Sequence, residues 1–265
     1  MLRWNLVLPL FAGLAALAVL SGACGGGGGN GSSVDASTPQ GGLQRAIDAW
    51  NREDVDEFLV AVSDAFLIDV LGYTSREDAR LNVGEILGDP ELSLSDLTEP
   101  VITGGQATLS GLIYFGQMGG PELFTMAREG DRWLLDNDTP APGAVPEGTT
   151  AVEITLSEYQ FDFDEAAVSG GDFGFAVSNA GVEEHEIGIL NVPDGLNVDL
   201  LLPDEPFPEG VEQVGFVGPF HPATTSAVLF KEPLDSGRYV LLCFLPAPDG
   251  EDHASKGMLT EFTVE

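Results

Sequence analysis

The chain has 265 residues, enough for about two domains of ordinary size, and 43% of them are hydrophobic, so buried cores can form. Its charge is strongly acidic, with 43 Asp and Glu against 10 Lys and Arg and a formal net charge of −33. This charge repels nucleic acid phosphates and anionic lipid surfaces, which argues against a nucleic acid partner and means that membrane attachment requires an anchor. The acidic surface is explained either by solubility or by a docking face, and solubility is the simpler explanation.

The N-terminus has the pattern of an export signal over residues 1–23. Arg3 precedes an apolar run over 6–20, which is short for a membrane-spanning helix. The segment Leu20-Ser21-Gly22-Ala23-Cys24 resembles a bacterial lipobox, with its leucine four residues before the cysteine where three is usual. The resemblance implies an exported lipoprotein, lipidated at Cys24 and held on the extracytoplasmic face of the cell membrane. A secreted protein cut elsewhere and an uncleaved anchor are the alternatives.

Composition divides the remaining chain into four parts. Residues 24–42 are rich in Gly and Ser and are expected to form a flexible tether. A first domain is predicted over 43–140, a Pro- and Gly-rich linker over 141–149 and a second domain over 150–265. Such a linker predicts two cores with few shared contacts.

The first domain starts with helical patterns and ends with strand patterns. Asp54 and Ser75 are expected to cap its second and third helices. After Pro90 the pattern changes to strands, predicted over 101–103, 107–115, 123–128 and 132–135. Helices followed by an antiparallel sheet indicate an α+β domain.

The opening at 46–55 and the closing Glu129-Gly130-Asp131-Arg132-Trp133 resemble the nuclear-transport-factor-2-like fold. The resemblance implies a cone-shaped α+β domain. The domain contains no histidine, which removes the commonest acid–base catalyst, and we expect its Asp64, Asp69 and Asp136 to be surface or cap groups. A pocket for a small ligand or a partner surface is the favoured role.

The second domain is predicted to be all-β. Strand patterns run over 152–163, 173–179, 185–192, 224–230, 238–244 and 258–264. Several prolines between 203 and 219 indicate a long irregular connection, with a short helix near 198–202. Six or more short strands between Gly and Pro turns indicate a β-sandwich.

Three segments of the second domain resemble plastocyanin and its cupredoxin relatives. They are Ser178-Asn179-Ala180-Gly181-Val182-Glu183-Glu184-His185, Gly237-Arg238-Tyr239-Val240-Leu241-Leu242-Cys243 and His253-Ala254-Ser255-Lys256-Gly257-Met258. Their order, and their places at strand ends, carry the resemblance. It implies a Greek-key, cupredoxin-like sandwich.

The resemblance also implies one type 1 copper site. His185, Cys243 and His253 would be the equatorial ligands and Met258 the weak axial ligand. Two imidazoles and a thiolate with a weak thioether are the donor set of such sites. The implied function is one-electron transfer with no catalytic residues. The sequence does not define the redox partner, although its acidic charge favours a basic one.

Two features depart from the family. Nine residues separate Cys243 from His253 where relatives have two to four, but an Asp249-Gly250 turn would let this insertion run out and return. Its extra closure entropy is about 1 kcal/mol. The residue after the first histidine is Glu186, where plastocyanins have an amide.

Each ligand residue also has an explanation without a metal. Cys243 and Met258 would be core residues, and His185 and His253 exposed loop histidines. The alternative function is therefore a metal-free surface interaction or ligand-binding module. His221 matches no ligand position and is interpreted as a turn residue, with a spare-ligand role as the alternative. An enzyme is disfavoured, since a multicopper oxidase needs more than the three histidines present.

Overall fold

The computed structural model describes residues 35–168, 170–201 and 207–265. The predicted export signal, Cys24 and most of the predicted tether lie outside these residues. Within the described ranges, no helix has the length and apolar character needed to cross a bilayer. The protein is mostly β-structure with few helices.

In the described ranges the helices lie between residues 39 and 85, apart from two later 3-10 turns. They are α1 (Pro39–Asn51), α2 (Val55–Ala61), a π-helix (Phe66–Val70), α3 (Arg76–Asn82) and a 3-10 turn (Val83–Glu85). The two predicted caps are confirmed, because Asp54 accepts from the Glu57 N–H and Ser75 from the Asp78 N–H. Helix α1 begins at Pro39, so the end of the predicted tether is helical.

Thirteen strands follow in the described part of the chain. They are β1 (Leu92–Ser95), β2 (Val101–Thr103), β3 (Gln106–Phe115), β4 (Met118–Glu129), β5 (Arg132–Pro140), β6 (Thr150–Ser157), β7 (Gln160–Phe163), β8 (Phe173–Asn179), β9 (His185–Val192), β10 (Glu212–Phe220), β11 (Thr225–Phe230), β12 (Gly237–Leu242) and β13 (Leu259–Val264). Short 3-10 turns occupy Glu165–Val168 and Val198–Leu201.

The strands form two sheets. The larger has nine strands in the order β1-β3-β4-β11-β8-β6-β7, with β2 also paired to β3 and β5 to β4. The smaller has four strands in the order β10-β9-β12-β13. Strand β11 pairs with β4 at Leu229–Gly119 and Phe230–Met118, so one sheet runs through both predicted domains.

Two main cores flank this shared sheet. The first lies between the helices and strands β1 and β3–β5, and it contains Leu43, Phe58, Phe124 and Trp133. The second is enclosed by residues of both sheets, as in a sandwich. Met118 of the first predicted domain is fully buried in this second core. The two halves thus share more contacts than the linker composition predicts.

Two strand predictions were wrong. The predicted strand 152–163 is a hairpin of β6 and β7, broken by a two-residue turn at Glu158 and Tyr159. Tyr159 has φ 63, a left-handed conformation that reverses the chain. The sequence at this turn contains no glycine or proline from which a turn could be predicted. Strand β10 lies within the predicted irregular connection. It tolerates Pro219 because it is an edge strand whose pairing is irregular between Val217 and Phe220.

Candidate metal centre

Three buried side chains with metal-binding atoms meet at one end of the smaller sheet. His185 is the first residue of β9, Cys243 directly follows β12, and His253 lies in the loop between β12 and β13. Their ligand atoms all lie within 4.8 Å of one another. Each residue is at most 1% exposed. This group could hold a metal ion.

Strand pairing brings two of these residues together. Strands β9 and β12 are antiparallel neighbours, with Leu242 paired to Gly188, so the start of β9 meets the end of β12. The Glu186 N–H accordingly points at the Cys243 Sγ, 3.4 Å away. Backbone register alone therefore places His185 beside Cys243.

The insertion between Cys243 and His253 runs out and returns. A bridge joins Pro246 to Asp252, and the Ala247 N–H and Glu251 carbonyl close the turn around Asp249 and Gly250 at 2.8 Å. At its base, the Ala254 N–H donates to the Cys243 carbonyl at 2.8 Å. The long spacing predicted from the sequence therefore does not separate the thiol from the second histidine.

The distances within the cluster suit a small coordination sphere. The Nδ1 atoms of His185 and His253 are 3.1 Å apart, and the Cys243 Sγ is 3.4 Å from the His253 Nδ1. Metal–nitrogen bonds of about 2.0 Å and a metal–sulfur bond of about 2.3 Å would subtend angles of roughly 100–110° across these separations. These two separations allow one ion to bind the His253 nitrogen together with either the His185 nitrogen or the Cys243 sulfur, and all three ligand atoms lie within 4.8 Å of one another.

The outer edges of the two imidazoles face carboxylates. The His253 Nε2 lies 3.0 Å from the Glu183 Oε2, so Nε2 carries the proton and donates, leaving the Nδ1 lone pair for a ligand. The His185 Nε2 is buried with no hydrogen-bond partner among the residues that the structure describes, and the Glu158 Oε1 lies 4.0 Å from it. With His253 protonated at Nε2, His185 donates from its Nδ1 to the His253 Nδ1, 3.1 Å away. A metal ion at these atoms would replace that proton, so the residues fit a bound metal.

The electrostatics favour neutral imidazoles. Burial, and then the neighbouring His253, lower the pKa of His185 to about 4. Burial also raises the pKa of the Cys243 thiol well above its usual range. In the metal-free protein the sulfur therefore keeps its proton, and a metal ion would have to displace it.

Glu186 occupies the position where the family has an amide. It is 8% exposed, and its Oε1 accepts from the Phe244 N–H at 2.7 Å. Burial raises the pKa of Glu186 to about 7. Through its own N–H and its carboxyl group, this residue contacts both the Cys243 sulfur and the residue that follows it. The carboxyl oxygen of Glu186 thus accepts a backbone hydrogen bond, as the oxygen of an amide side chain could also do.

Met258 is fully buried and is tied to the cluster through its backbone. Its N–H donates to the His253 carbonyl at 2.8 Å, and its carbonyl accepts from the Cys243 N–H at 3.2 Å. These bonds fix the segment from His253 to Met258 against the end of β12.

The turn between β6 and β7 covers the cluster. The Tyr159 ring packs edge-on against the His253 ring, with centroids 5.2 Å apart, and the Lys256 Nζ lies 5.4 Å from the tyrosine centroid. Sequence reasoning missed Glu158, Tyr159 and Glu183. Of these, only Glu183, two residues before a proposed ligand, carried any signal.

His221 lies apart from the cluster, as a turn residue. Its carbonyl accepts from the Thr224 N–H at 3.1 Å, and its exposed ring pairs with the Glu184 carboxylate at 2.6 Å. This agrees with the turn interpretation.

In the first half, Asp64 and Asp69 are exposed and Asp136 is half-buried.

Sequence reasoning missed Glu122 and Asp138, which lie on neighbouring strands. Glu122 is 6% exposed and its Oε2 is buried without a hydrogen-bond partner. Burial, followed by repulsion from Asp138, raises the pKa of Glu122 well above its usual value, and burial raises the pKa of Asp138 to about 6.

No protein-family model matches the chain, and no curated protein matches it at a significant level. Seventeen chains of solved structures match. One is described as an NTF-2-like protein of unknown function from Shewanella oneidensis MR-1. It is 17% identical, with a TM-score of 0.29, and the match covers 37% of this chain and 90% of that one. A likeness this weak carries no argument about function.

Proposed function

We propose that the protein is a lipid-anchored, extracytoplasmic protein that binds one type 1 copper ion and transfers single electrons. The observation that carries the proposal is the buried trio of His185, Cys243 and His253, whose ligand atoms all lie within 4.8 Å of one another. Two imidazoles and one thiolate are the equatorial donors of blue-copper sites.

The surrounding residues support the same role. When bound, copper supplies a one-electron couple. The ligands sit on a β scaffold and in a loop tied to it by backbone hydrogen bonds, so they can keep one geometry in both oxidation states. Complete burial of the ligand side chains excludes water. Met258, held between Cys243 and His253 by its backbone, is proposed as the axial ligand.

The finer fold assignment belongs to this proposal. A cupredoxin-like Greek-key sandwich is supported by a core drawn from both sheets and by a ligand cluster at strand ends. We propose no catalytic activity. The net charge of −33 favours a basic redox partner, and the first half is proposed to bind a small ligand or a partner.

Copper titration followed by visible spectroscopy tests the proposal. Copper(II) should give an intense thiolate-to-copper band at one ion per chain, and Cys243→Ser should abolish it. His221→Ala is the matched control, because it removes an exposed histidine outside the cluster and should leave the band unchanged. If the wild type takes up no copper, a metal-free interaction module becomes the better explanation.

The anchor is tested separately. The full-length protein should partition into detergent and carry the mass of acyl groups, and Cys24→Ser should abolish both. Recovery of a soluble, unmodified wild type would contradict the lipoprotein proposal.

A further inference from the structure

We infer that Glu158 and Glu183 are positioning residues that form an outer carboxylate pair around the metal centre. Glu183 sets the orientation of the His253 imidazole, Glu158 holds the loop that carries Glu183, and both carboxylates favour the oxidised metal ion. The inference rests on the proposed function and goes beyond it, because it assigns two residues outside the ligand set that tune the site.

Glu183 acts on His253. Its Oε2 lies 3.0 Å from the His253 Nε2, and the imidazole is 1% exposed, so water does not compete for this bond. A carboxylate that accepts from Nε2–H holds the ring in the tautomer whose Nδ1 lone pair faces Cys243 and His185. The orientation of this ligand therefore depends on a side chain contributed by another loop.

Glu158 acts on His185 from the turn between β6 and β7. Its Oε1 accepts from the N–H groups of Val182 and Glu183, which anchors the carboxylate above the cluster. Both donors are backbone N–H groups, which hold the carboxylate oxygen in place. The same oxygen lies 4.0 Å from the His185 Nε2, a buried nitrogen that has no hydrogen-bond partner within the described part of the chain.

The loop sequence makes room for this approach. A Cβ atom at Gly181 would lie 2.5 Å from the Glu158 Oε1 and 3.0 Å from the His185 Nε2. Only glycine therefore allows the carboxylate to come this close to the imidazole. Glu158 then fixes the loop that carries Glu183, so the two carboxylates form one connected unit.

The charges of the two carboxylates determine whether they raise or lower the reduction potential of the metal. Reduction adds one electron to Cu(II), forming Cu(I), and so lowers the positive charge at the centre by one unit. Two carboxylates beyond the imidazoles stabilise the more positive state and oppose this step. The nearby cation, Lys256, is already paired with Asp249 and Glu251. The pair should therefore lower the reduction potential.

The test compares three charge-removing substitutions in the full-length protein. Glu183→Gln and Glu158→Gln keep side chains of similar size and an oxygen that accepts hydrogen bonds, but they remove the charge. Glu153→Gln removes a charge from an exposed site on β6, five residues from Glu158 and so about 16 Å along the strand. Each copper-loaded protein is equilibrated with a one-electron mediator of known potential, which supplies the electron.

Each variant of the pair should retain the visible band, while its equilibrium constant for reduction rises about tenfold or more. Glu153→Gln should change this constant less than about twofold. The inference is overturned if both variants leave the constant unchanged or lower it, or if the control changes it as much.

A second measurement needs no metal. Nitrogen NMR of the metal-free protein should show His253 protonated at Nε2 in the wild type and in Glu183→Gln, and a mixture of tautomers in Glu183→Leu. A wild-type His253 protonated at Nδ1 would overturn the positioning role. If the wild type binds no copper, the proposed function fails and so does the effect on potential, while the tautomers still decide the positioning role.

Discussion

At the scale of single residues, the centre depends on close approaches that only particular side chains permit. Gly181 is the clearest case, because it stands between a carboxylate and a buried imidazole. Its φ lies outside the left-handed region, so the requirement is for space and does not come from the backbone conformation.

Gly181→Ala should therefore weaken copper binding. The new methyl group must displace Glu158 or His185, and we expect the copper affinity to fall by about tenfold or more, in line with the cost of disturbing outer-shell partners. Competition with a copper chelator measures this loss. Gly105→Ala is the control, since a Cβ there meets nothing within 4 Å, and its affinity should equal that of the wild type. Equal affinities in all three proteins would contradict the prediction.

The half-buried carboxyl group of Asp138 should make the stability of the protein depend on pH. Burial raises the pKa of Asp138 to about 6, above the value of about 3.9 expected in the unfolded chain. The folded state thus prefers the protonated form. The stability contributed by this group is fully present below pH 4 and is lost as the pH rises through 6.

Asp138→Asn should accordingly stabilise the protein at pH 7, by about 2–3 kcal/mol, and the gain should shrink towards zero at pH 4. Urea unfolding of both proteins at the two pH values measures the difference. Asp131→Asn, in the exposed turn between β4 and β5, should show no such pH dependence. A gain at pH 4 as large as the gain at pH 7 would rule out ionisation of Asp138 as the cause.

At the scale of elements, the loop between β12 and β13 carries Cys243, His253 and Met258 and is tied to a neighbouring turn through one cation. Lys256 pairs with Asp249 and Glu251 and also lies over the Tyr159 ring. It thereby joins the inserted turn to the turn between β6 and β7. The inserted turn and the turn between β6 and β7 both pack around His253.

Lys256→Met should remove the contact between these two turns. Copper should then be released to a chelator several-fold faster, with little effect on the visible band. Its loss of stability should be small, because both carboxylates that pair with Lys256 are exposed to solvent. Lys231→Met is the matched control, because Lys231 is the other lysine of the chain. The Lys231 Nζ lies 5.8 Å from the ring centroid of Tyr114, a residue of the first half. Equal release rates for both variants would show that Lys256 does not close the site.

Much of the element order could be predicted from the sequence, because period-two patterns and capping residues are local signals. Strands β8 and β9 have the predicted ends, and the caps at Asp54 and Ser75 are as predicted. The turn at Tyr159 could not be predicted, since a bulky residue replaces the glycine that usually marks such a conformation. The ligand candidates could be named from their family pattern, but Glu158 lies 25 residues before Glu183, and only tertiary structure shows that the two meet.

At the scale of the whole molecule, the halves are joined by more than a linker. Met118, at the start of β4, is buried in the second core, and β4 pairs with β11. The Ser226 hydroxyl donates to the Ala141 carbonyl at 2.7 Å in a buried position. These contacts couple the folding of the second half to the presence of β4.

Met118→Ala should therefore destabilise the second half although it lies in the first, by about 2–5 kcal/mol for a buried methionine. Thermal unfolding followed by the copper band should shift to lower temperature together with the far-ultraviolet signal. Leu81→Ala, at a residue that is 74% exposed, is the control and should change little. A copper band insensitive to Met118→Ala would show that the halves unfold independently.

The burial of the Cys243 sulfur has a kinetic consequence. This thiol is 0% exposed, and it is the free cysteine of the described residues. A thiol reagent can reach it in the metal-free protein only when the surrounding loops part. At low reagent concentration, the labelling rate therefore measures the fraction of molecules in which the centre is open. At high concentration, the limiting rate equals the rate constant for opening.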